Sequence, residues 1–409
     1  MPAALCFECV NSMLSPYAKN AIVLGLLAAI GPFAIDMYLP ALPTIAESLG
    51  ASTAATQMTL MSFFLAFGLC QIIYGPVTDM VGRKKPLYFG LTLFTIGSVG
   101  CAFAGSIEWL IAFRFIQGIG ASASMVIPRA IIRDLHTGIE ATRLMAFVML
   151  VLSVSPILAP LIGSLLIAHI GWRAVFAVVT VVAILGIATT ALFLRETRPP
   201  SERIAGGFGS AFAGFWQLLR DWHFLGVTFI GGLGMSSFFA FLASSSFIYI
   251  GHYGLTPTQY GLAFSVNAVG FIGASQLTAK LGARFGMGRL VTWAAFLHTL
   301  FAAILFGTTM AGIDSLAVLI VLLFCAFACL GLVIPATMVL ALDHHGPIAG
   351  MASALGGTLQ MMVGGLMIAV ISQFFDGTAV PMVTAIALCG AGALALCLVT
   401  LRPQKTQSA

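Results

Sequence analysis

Long apolar runs separated by short polar stretches recur from one end of the chain to the other. Twelve of them reach the roughly 20 residues a helix needs to cross a bilayer: 20–41, 56–77, 86–104, 108–132, 142–168, 172–194, 222–248, 258–280, 288–308, 316–339, 349–373 and 380–401. The chain is therefore predicted to be an all-α membrane protein with 12 transmembrane helices. One long polar break, 195–221, splits the spans into segments of nearly equal length, 20–194 and 222–401. Two pseudo-symmetric six-helix bundles with a site between them near the membrane midplane are the expected architecture. Short tails, 1–19 and 402–409, flank them.

Composition agrees with the pattern and narrows it. Hydrophobic residues make up 60% of the 409 and charged ones 8%, and the mean hydropathy of +1.07 lies far outside the soluble range. The net charge of +5 reports topology rather than a nucleic-acid partner. With the N-terminus inside, fifteen of the 18 Lys and Arg fall on the inner face, Arg173 alone on the outer, and Arg114 and Arg129 within the fourth span. That bias places both termini in the cytoplasm. Residues 1–18 lack a basic leader and the first span is too long for a signal core, so it is expected to act as an uncleaved anchor. Most of the eight cysteines lie in or near spans as apolar fillers, and Cys6 and Cys9 form a lone pair in the N-terminal tail without the second pair a metal site requires. No metal or cofactor is expected. The motifs H-E-x-x-H and G-x-S-x-G are absent, so an intramembrane enzyme is not indicated.

Within such a chain the informative residues are the charges that enter the spans. Asp36 lies near the end of the first span, about 8 Å from its end at 1.5 Å per residue. A charge inside hydrocarbon costs at least about 2.5–3.5 kcal/mol and is normally kept for ion or proton handling. Pro32, Pro40 and Pro43 surround it and suggest a kinked helix end lining a cavity. Arg114, about 10 Å inside the fourth span, sits at similar depth, which permits pairing or alternating occupancy. Arg129, Arg133 and Asp134 read as gate or interface charges.

Between spans two and three runs Gly75-Pro76-Val77-Thr78-Asp79-Met80-Val81-Gly82-Arg83-Lys84-Lys85. Gly75 and Gly82 allow close approach and a tight turn, Asp79 and Arg83 are spaced to pair, and an anion here could meet a helix N-terminus. Lys280–Arg289 is a weaker echo between spans eight and nine. In the seventh span Ser237, Phe238 and Phe241 offer hydroxyls and aromatic walls of the kind that hold moderately hydrophobic organic molecules. Tyr38, Gln117 and Gln360 complete the candidate substrate-binding set. Asn267, Met361 and Met362 are weaker candidates of the same kind, and His298 is read as a neutral packed histidine. In the polar break Phe208, Phe212, Phe215, Trp216 and Leu219 share one helical stripe, read as a surface helix at the inner interface.

Several of these stretches together resemble a known family. The loop Gly75–Lys85 is similar to the signature loop of the major facilitator superfamily, and Arg114-Phe115-Ile116-Gln117-Gly118-Ile119-Gly120-Ala121 to its fourth-span element. Ser155-Pro156-Ile157-Leu158-Ala159-Pro160-Leu161-Ile162-Gly163-Ser164 is similar to its antiporter motif, with Ala159 and Ser164 replacing glycines. With Asp36–Pro43 and Arg129–Asp134, the chain resembles the bicyclomycin and chloramphenicol resistance branch of the drug:proton antiporters. The resemblance implies a monomeric, multi-pass bacterial inner-membrane exporter of small organic drugs, driven by proton entry through alternating access. It also implies roles: Asp36 as the protonatable group with Arg114 as modulator, and Gly75, Asp79, Gly82 and Arg83 as a conformational latch against the eleventh helix near Ala349-Gly350. Pro156, Pro160 and Gly163 would form a hinge in helix five. Some related exporters carry a second acid where this chain has Ala28, which points away from cationic substrates. A physiological exporter of an amino acid or dipeptide, or a proton-coupled importer, shares the same features.

Overall fold

The computed structural model describes residues 15–136, 138–203, 208–343 and 345–401. Cys6 and Cys9 lie outside them. The described residues form fifteen α-helices and no strand. Hydrocarbon leaves no water to satisfy backbone groups, so helices, which satisfy their own, are the outcome the apolar runs dictate. Helix α1 (Pro16–Asp36) passes through a 3-10 turn at Leu39–Ala41 into the short α2 (Leu42–Ser48). Pro40 and Pro43 occupy the first turns of these two pieces, where a missing N–H costs nothing, and that is why the first helix breaks just past Asp36. There follow α3 (Thr53–Val81), α4 (Lys84–Ala102), α5 (Ile107–Leu135), α6 (Gly138–His169) and α7 (Arg173–Phe193). Beyond the polar break come α8 (Phe208–Leu219), α9 (Trp222–Ser246), α10 (Pro257–Ser275), α11 (Thr278–Phe285), α12 (Met287–Met310), α13 (Leu316–Asp343), α14 (Ala349–Phe374) and α15 (Val380–Thr400).

Among the described residues ten helices are long and apolar enough to cross a membrane, taking α1 with α2 and α9 with the π-helical turn Phe247–His252. The pair α10 and α11, bent by 41°, makes an eleventh if it is one span. The remaining predicted span, α4, has 19 residues and opens on Lys84 and Lys85, which lowers its apolar content below the others. Side-chain caps start several helices: Ser52 accepts from Ala55 N, Ser106 from Trp109 N, and Thr256 forms a capping box with Gln259.

Packing in the first half depends on small residues. Helix α5 is wedged between α3 and α4: a Cβ on Gly118 would collide with the Phe63 carbonyl, and one on Gly120 with the backbone of Gly90 and Phe94. Such close approach is how membrane helices gain contact without a hydrophobic drive between them. Between the halves, α3 packs on α14 and α6 on α10. Hydrogen bonds that cross that boundary include Thr358 Oγ1 to Gly68 O at 2.7 Å, Ser265 Oγ to Ile157 O at 3.0 Å, and Gln57 Nε2 to Ala243 O at 3.0 Å.

Helix α8 carries the apolar stripe of the polar break and sets one edge of it against a neighbour. Leu218 is fully buried and Phe215 packs with it toward α14, whereas Phe212, Trp216 and Leu219 face outward. The apolar surface of α8 is wide enough to serve two neighbours, because Gly214 lets it sit against Met351 of α14.

Helix α6 runs unbroken for 32 residues with Pro156 and Pro160 inside it. Gly163 on the same helix touches the Met37 backbone, directly after Asp36. A side chain there has nowhere to go, because its neighbour is main chain. Replacing Gly163 by Val is expected to destabilise the protein by at least the about 1–3 kcal/mol typical of overpacking. The unfolding midpoint in detergent should drop by several degrees, while Val at Gly75, which has open space around it, should leave it nearly unchanged.

Candidate functional site

Asp36 ends α1 and is 6% exposed. Among the described residues its carboxylate makes no hydrogen bond or ion pair. The segment after it, Met37 to Leu42, is buried to the last residue. The 3-10 turn in that segment packs on α6, α9 and α10, so Asp36 sits where the two halves meet. Tyr260 of α10 lies within electrostatic reach of its carboxylate and is hydrogen-bonded to Ser245 of α9 at 3.0 Å.

Arg114 is fully buried and does not pair with Asp36. Its guanidinium is held between two rings, 4.5 Å from the Tyr38 centroid and 4.3 Å from that of Phe63. Nη1 donates to Ala34 O at 3.1 Å and to Gln117 Oε1 at 2.6 Å. Gln117 Nε2 in turn donates to Ser98 Oγ at 2.8 Å, and Tyr38 shares a 2.7 Å hydrogen bond with Thr59. Two π faces and a carbonyl replace the missing acid, each cation–π contact giving about 2 kcal/mol or more when desolvated. The pairing that matched depth permits is thus absent here, and Arg114 grips the helix turn that carries Asp36. Nε and Nη2 of Arg114 remain without partners.

The charges of the loop between α3 and α4 form a second cluster. Arg83, 3% exposed, donates through Nη1 to Asp79 at 2.7 Å and to Thr78 at 2.8 Å. Its Nε and Nη2 reach the two oxygens of Asp134 at 2.7 and 3.2 Å. Arg198 Nη1 shares that same Asp79 oxygen, Oδ1, at 2.8 Å. Burial alone would weaken the Arg83 charge, but Asp134 and Asp79 outweigh it and hold the guanidinium above its ordinary value. Glu196 accepts from the amides of Arg83 and Lys84 at 2.8 and 3.1 Å, capping the start of α4. It also accepts from Arg198 N at 3.1 Å. Burial pushes this carboxyl up; the three backbone donors and Arg203 outweigh that and leave it below the usual carboxylate range. Gly82, at φ +95°, makes the turn possible, and a Cβ on it would come within 2.8 Å of Glu196 Oε2.

Two expectations change here. The loop's partners are Asp134 and the segment just after α7, not the eleventh helix, because that segment turns back beneath the loop and brings Glu196 and Arg198 to it. Among the described residues no hydrogen bond or ion pair from Asp79 or Arg83 reaches α14. Gly75 makes no close approach either; Gly82 alone is sterically required. In the sequence Asp134 reads as a gate charge with no visible partner and Glu196 as part of the linker. The available signal was a lone acid following a span end opposite a basic turn.

The candidate substrate residues divide. Tyr38 and Gln117 belong to the Arg114 cluster. Phe241 is buried among Phe264, Phe327 and Tyr249, with centroids 5.5, 5.0 and 6.2 Å away. Half-buried Phe238 stacks near Phe271 at 6.1 Å. Phe64 of α3 and Phe239 of α9 stack at 4.1 Å, joining the aromatic groups of the two halves. Half-buried Gln360 lies against Gly231 of α9. Ser237 departs from the set: its hydroxyl turns to His298 Nε2 at 3.3 Å and Ile386 O at 3.5 Å, away from the first half. His298 is a packed residue whose Nδ1 also meets Ala326 O at 3.0 Å. Among the described residues no group of acids, histidines and cysteines is placed to hold a metal.

A buried carboxylate without a partner at a helical break, on a backbone turn held by Arg114, can hold and release a proton. The family model of the Major Facilitator Superfamily matches residues 24–369. An uncharacterized MFS-type transporter of Bacillus subtilis, YdgK, is 34% identical over 88% of this chain and 90% of its own length. A bicyclomycin resistance protein homolog of Haemophilus influenzae is 29% identical over 90% and 92%. Among solved structures, the xylose transporter XylE from E. coli, in a partially occluded inward open conformation, superposes with a TM-score of 0.70. That match covers 97% of this chain and 100% of that one at 14% identity, a likeness of fold alone.

Glu196 is half-buried, so its cap is expected to contribute about 1 kcal/mol after solvent screening. Its folded-state pKa lies below the unfolded one. The stabilisation is therefore complete above the unfolded carboxylate range and is lost as pH falls through the folded value. Comparing unfolding midpoints of wild type and Glu196→Gln at pH 7 and near pH 4 checks this: the wild type should be the more stable at pH 7, and the gap should narrow in acid.

Proposed function

This chain belongs to the Major Facilitator Superfamily and is a membrane transporter, not an enzyme, and from that premise we propose that it exports small organic molecules in exchange for protons. The observation that carries the reading is Asp36: a buried acid without a partner, inside a span, where the two halves meet. In hydrocarbon such a group is functional by default. The resistance-protein name of the Haemophilus relative supports an antibiotic-like substrate.

Residues 20–194 and 222–401 act as the two moving bundles, joined by 195–221, in a bacterial inner membrane with the basic end cytoplasmic. Asp36 carries the proton. Arg114 sets its position through the Ala34 carbonyl, and Tyr38, Gln117, Phe238, Phe241 and Gln360 border the substrate. The Arg83 cluster acts as the latch, holding the cytoplasmic ends of α3, α5 and the post-α7 segment as one body. Pro156, Pro160 and Gly163 let α6 bend as that body moves. With the outer side open, Asp36 takes a proton and releases the drug; the neutral site then closes and faces inward. Inside, the proton leaves and drug capture favours the return, so the two ligands bias opposite states. One proton descending 100 mV supplies about 2.3 kcal/mol, a concentration ratio of about 40-fold.

The test is ligand-induced proton release from purified protein across a panel of bicyclomycin, chloramphenicol, amino acids and dipeptides. Wild type should release protons on adding its substrate, and Asp36→Asn should release none. In proteoliposomes the same substitution should lower ΔpH-driven uptake to the level of empty vesicles. Release that persists in Asp36→Asn would overturn the assignment.

A further inference from the structure

Resting on that reading, we propose that Arg129 forms a second binding site in the transport pathway, one that takes the carboxylate of an organic ligand near the basic end. The helices packed on α5 are α1, α3, α4 and α6, and their acids are few. Asp36 lies at the other end of α1. Asp79 is held by Arg83 and Arg198, and Glu140 of α6 faces His136; α4 has no acid. On α5 itself, Asp134 is bound by Arg83 and Glu108 is in the first turn at the far end. Arg129 is left over. Among the described residues it makes no hydrogen bond, ion pair or ring contact, and its Nε is buried without an acceptor.

Its position on α5 sets the direction of the guanidinium. Arg129 lies six residues before the end of α5, about 9 Å of rise. At about 100° per residue it points about 20° from Gly118, which touches α3, and about 180° from Gly120, which touches α4. The guanidinium therefore points away from α4, toward the side of α5 that adjoins α3. Along that stripe Gly118 and Ser122 are buried, whereas Met125 and Arg129 are half-exposed, so the face opens toward the basic end. Ser122 Oγ on the same stripe is likewise buried without a partner. Only Nε is enclosed; the two Nη groups are open, so the edge of the guanidinium is available to a ligand while Nε lacks an acceptor.

A guanidinium whose Nε is enclosed without an acceptor carries a desolvation cost, and a bound anion removes it. Guanidinium binds carboxylates through two parallel hydrogen bonds. The wall carrying Met125 is apolar, which favours an organic acid over a free inorganic ion. Arg114 and Arg129 are 15 residues apart on one helix, about 22 Å, so an anionic group held at Arg129 lies at a different depth from the Asp36 proton. The two sites would be occupied in sequence.

The experiment measures unfolding midpoints of the full-length protein in detergent at constant ionic strength, with benzoate, benzamide or inorganic phosphate, in wild type, Arg129→Gln and Arg129→Lys. Benzoate should raise the wild-type midpoint and benzamide should not. Arg129→Gln should weaken apparent benzoate affinity at least 10-fold, Arg129→Lys should retain part of it, and ligand-free Arg129→Gln should be at least as stable as wild type. Equal responses to benzoate and benzamide, no response to benzoate, or a benzoate response that survives in Arg129→Gln would overturn the site. A ligand-free Arg129→Gln less stable than wild type would do the same, since it would reveal a structural partner. A phosphate response as large as that to benzoate would overturn the choice of an organic acid. Proton release by a neutral substrate at Asp36 does not depend on Arg129, so failure here leaves the exchange reading standing, and loss of release in wild type leaves this site standing.

Discussion

The grip of Arg114 on the last turn of α1 is the contact on which the site depends. A cation enclosed in hydrocarbon must find compensation, and no acid is within reach. Two aromatic faces, the Ala34 carbonyl and Gln117 supply it instead. Because the acceptor is main chain two residues before Asp36, the arginine fixes the backbone that carries the acid without neutralising the acid. From the other side the Gly163 backbone presses on Met37. Asp36 is thereby immobilised by its neighbours yet left chemically free, an arrangement that an ion pair would have destroyed.

Charge is handled differently at the basic end. There the buried guanidinium of Arg83 has two carboxylates, and the surrounding amides have Glu196. Each donor is matched by an acceptor, which is the condition under which buried polar clusters stabilise rather than cost. All the members named belong to segments up to residue 203, so the cluster binds the ends of the first-half helices to one another. Contact with the second half is made instead by small residues, hydrogen bonds and the stacked pair Phe64 and Phe239. A boundary of that kind has few strong bonds to break, which suits two bodies that must move apart and return.

Aromatic rings run from Phe63 at the Arg114 cluster through Phe64 and Phe239 to Phe238, Phe241 and Phe264. Such a wall offers dispersion and quadrupole contacts without demanding a particular hydrogen-bond pattern. It complements the few directional groups nearby, Gln117, Gln360 and the unpartnered edge of Arg114, and it connects the acid of the first half to the hydroxyl-rich α9 of the second.

The sequence by itself determined the features that depend on local composition. Apolar run length dictated the helices, since nothing else satisfies the backbone in lipid. Asp36 stood out because any acid there is expensive, and Asp79 with Arg83 because four residues of separation bring side chains together. Gly163 was legible as part of the proline- and glycine-bearing stretch of the fifth span. Only the tertiary structure decided which partner each group meets. Asp134 and Glu196 reach Arg83 across 51 and 113 residues of chain, a distance no local pattern encodes. Ser237 turned toward His298 because the rotation of α9 is set by what packs around it, not by its own residues. Arg114 and Asp36 share a depth, which spacing revealed, but their failure to pair comes from the two rings between which the guanidinium is held, and those rings are brought there only by the packing of α1 and α3 on α5.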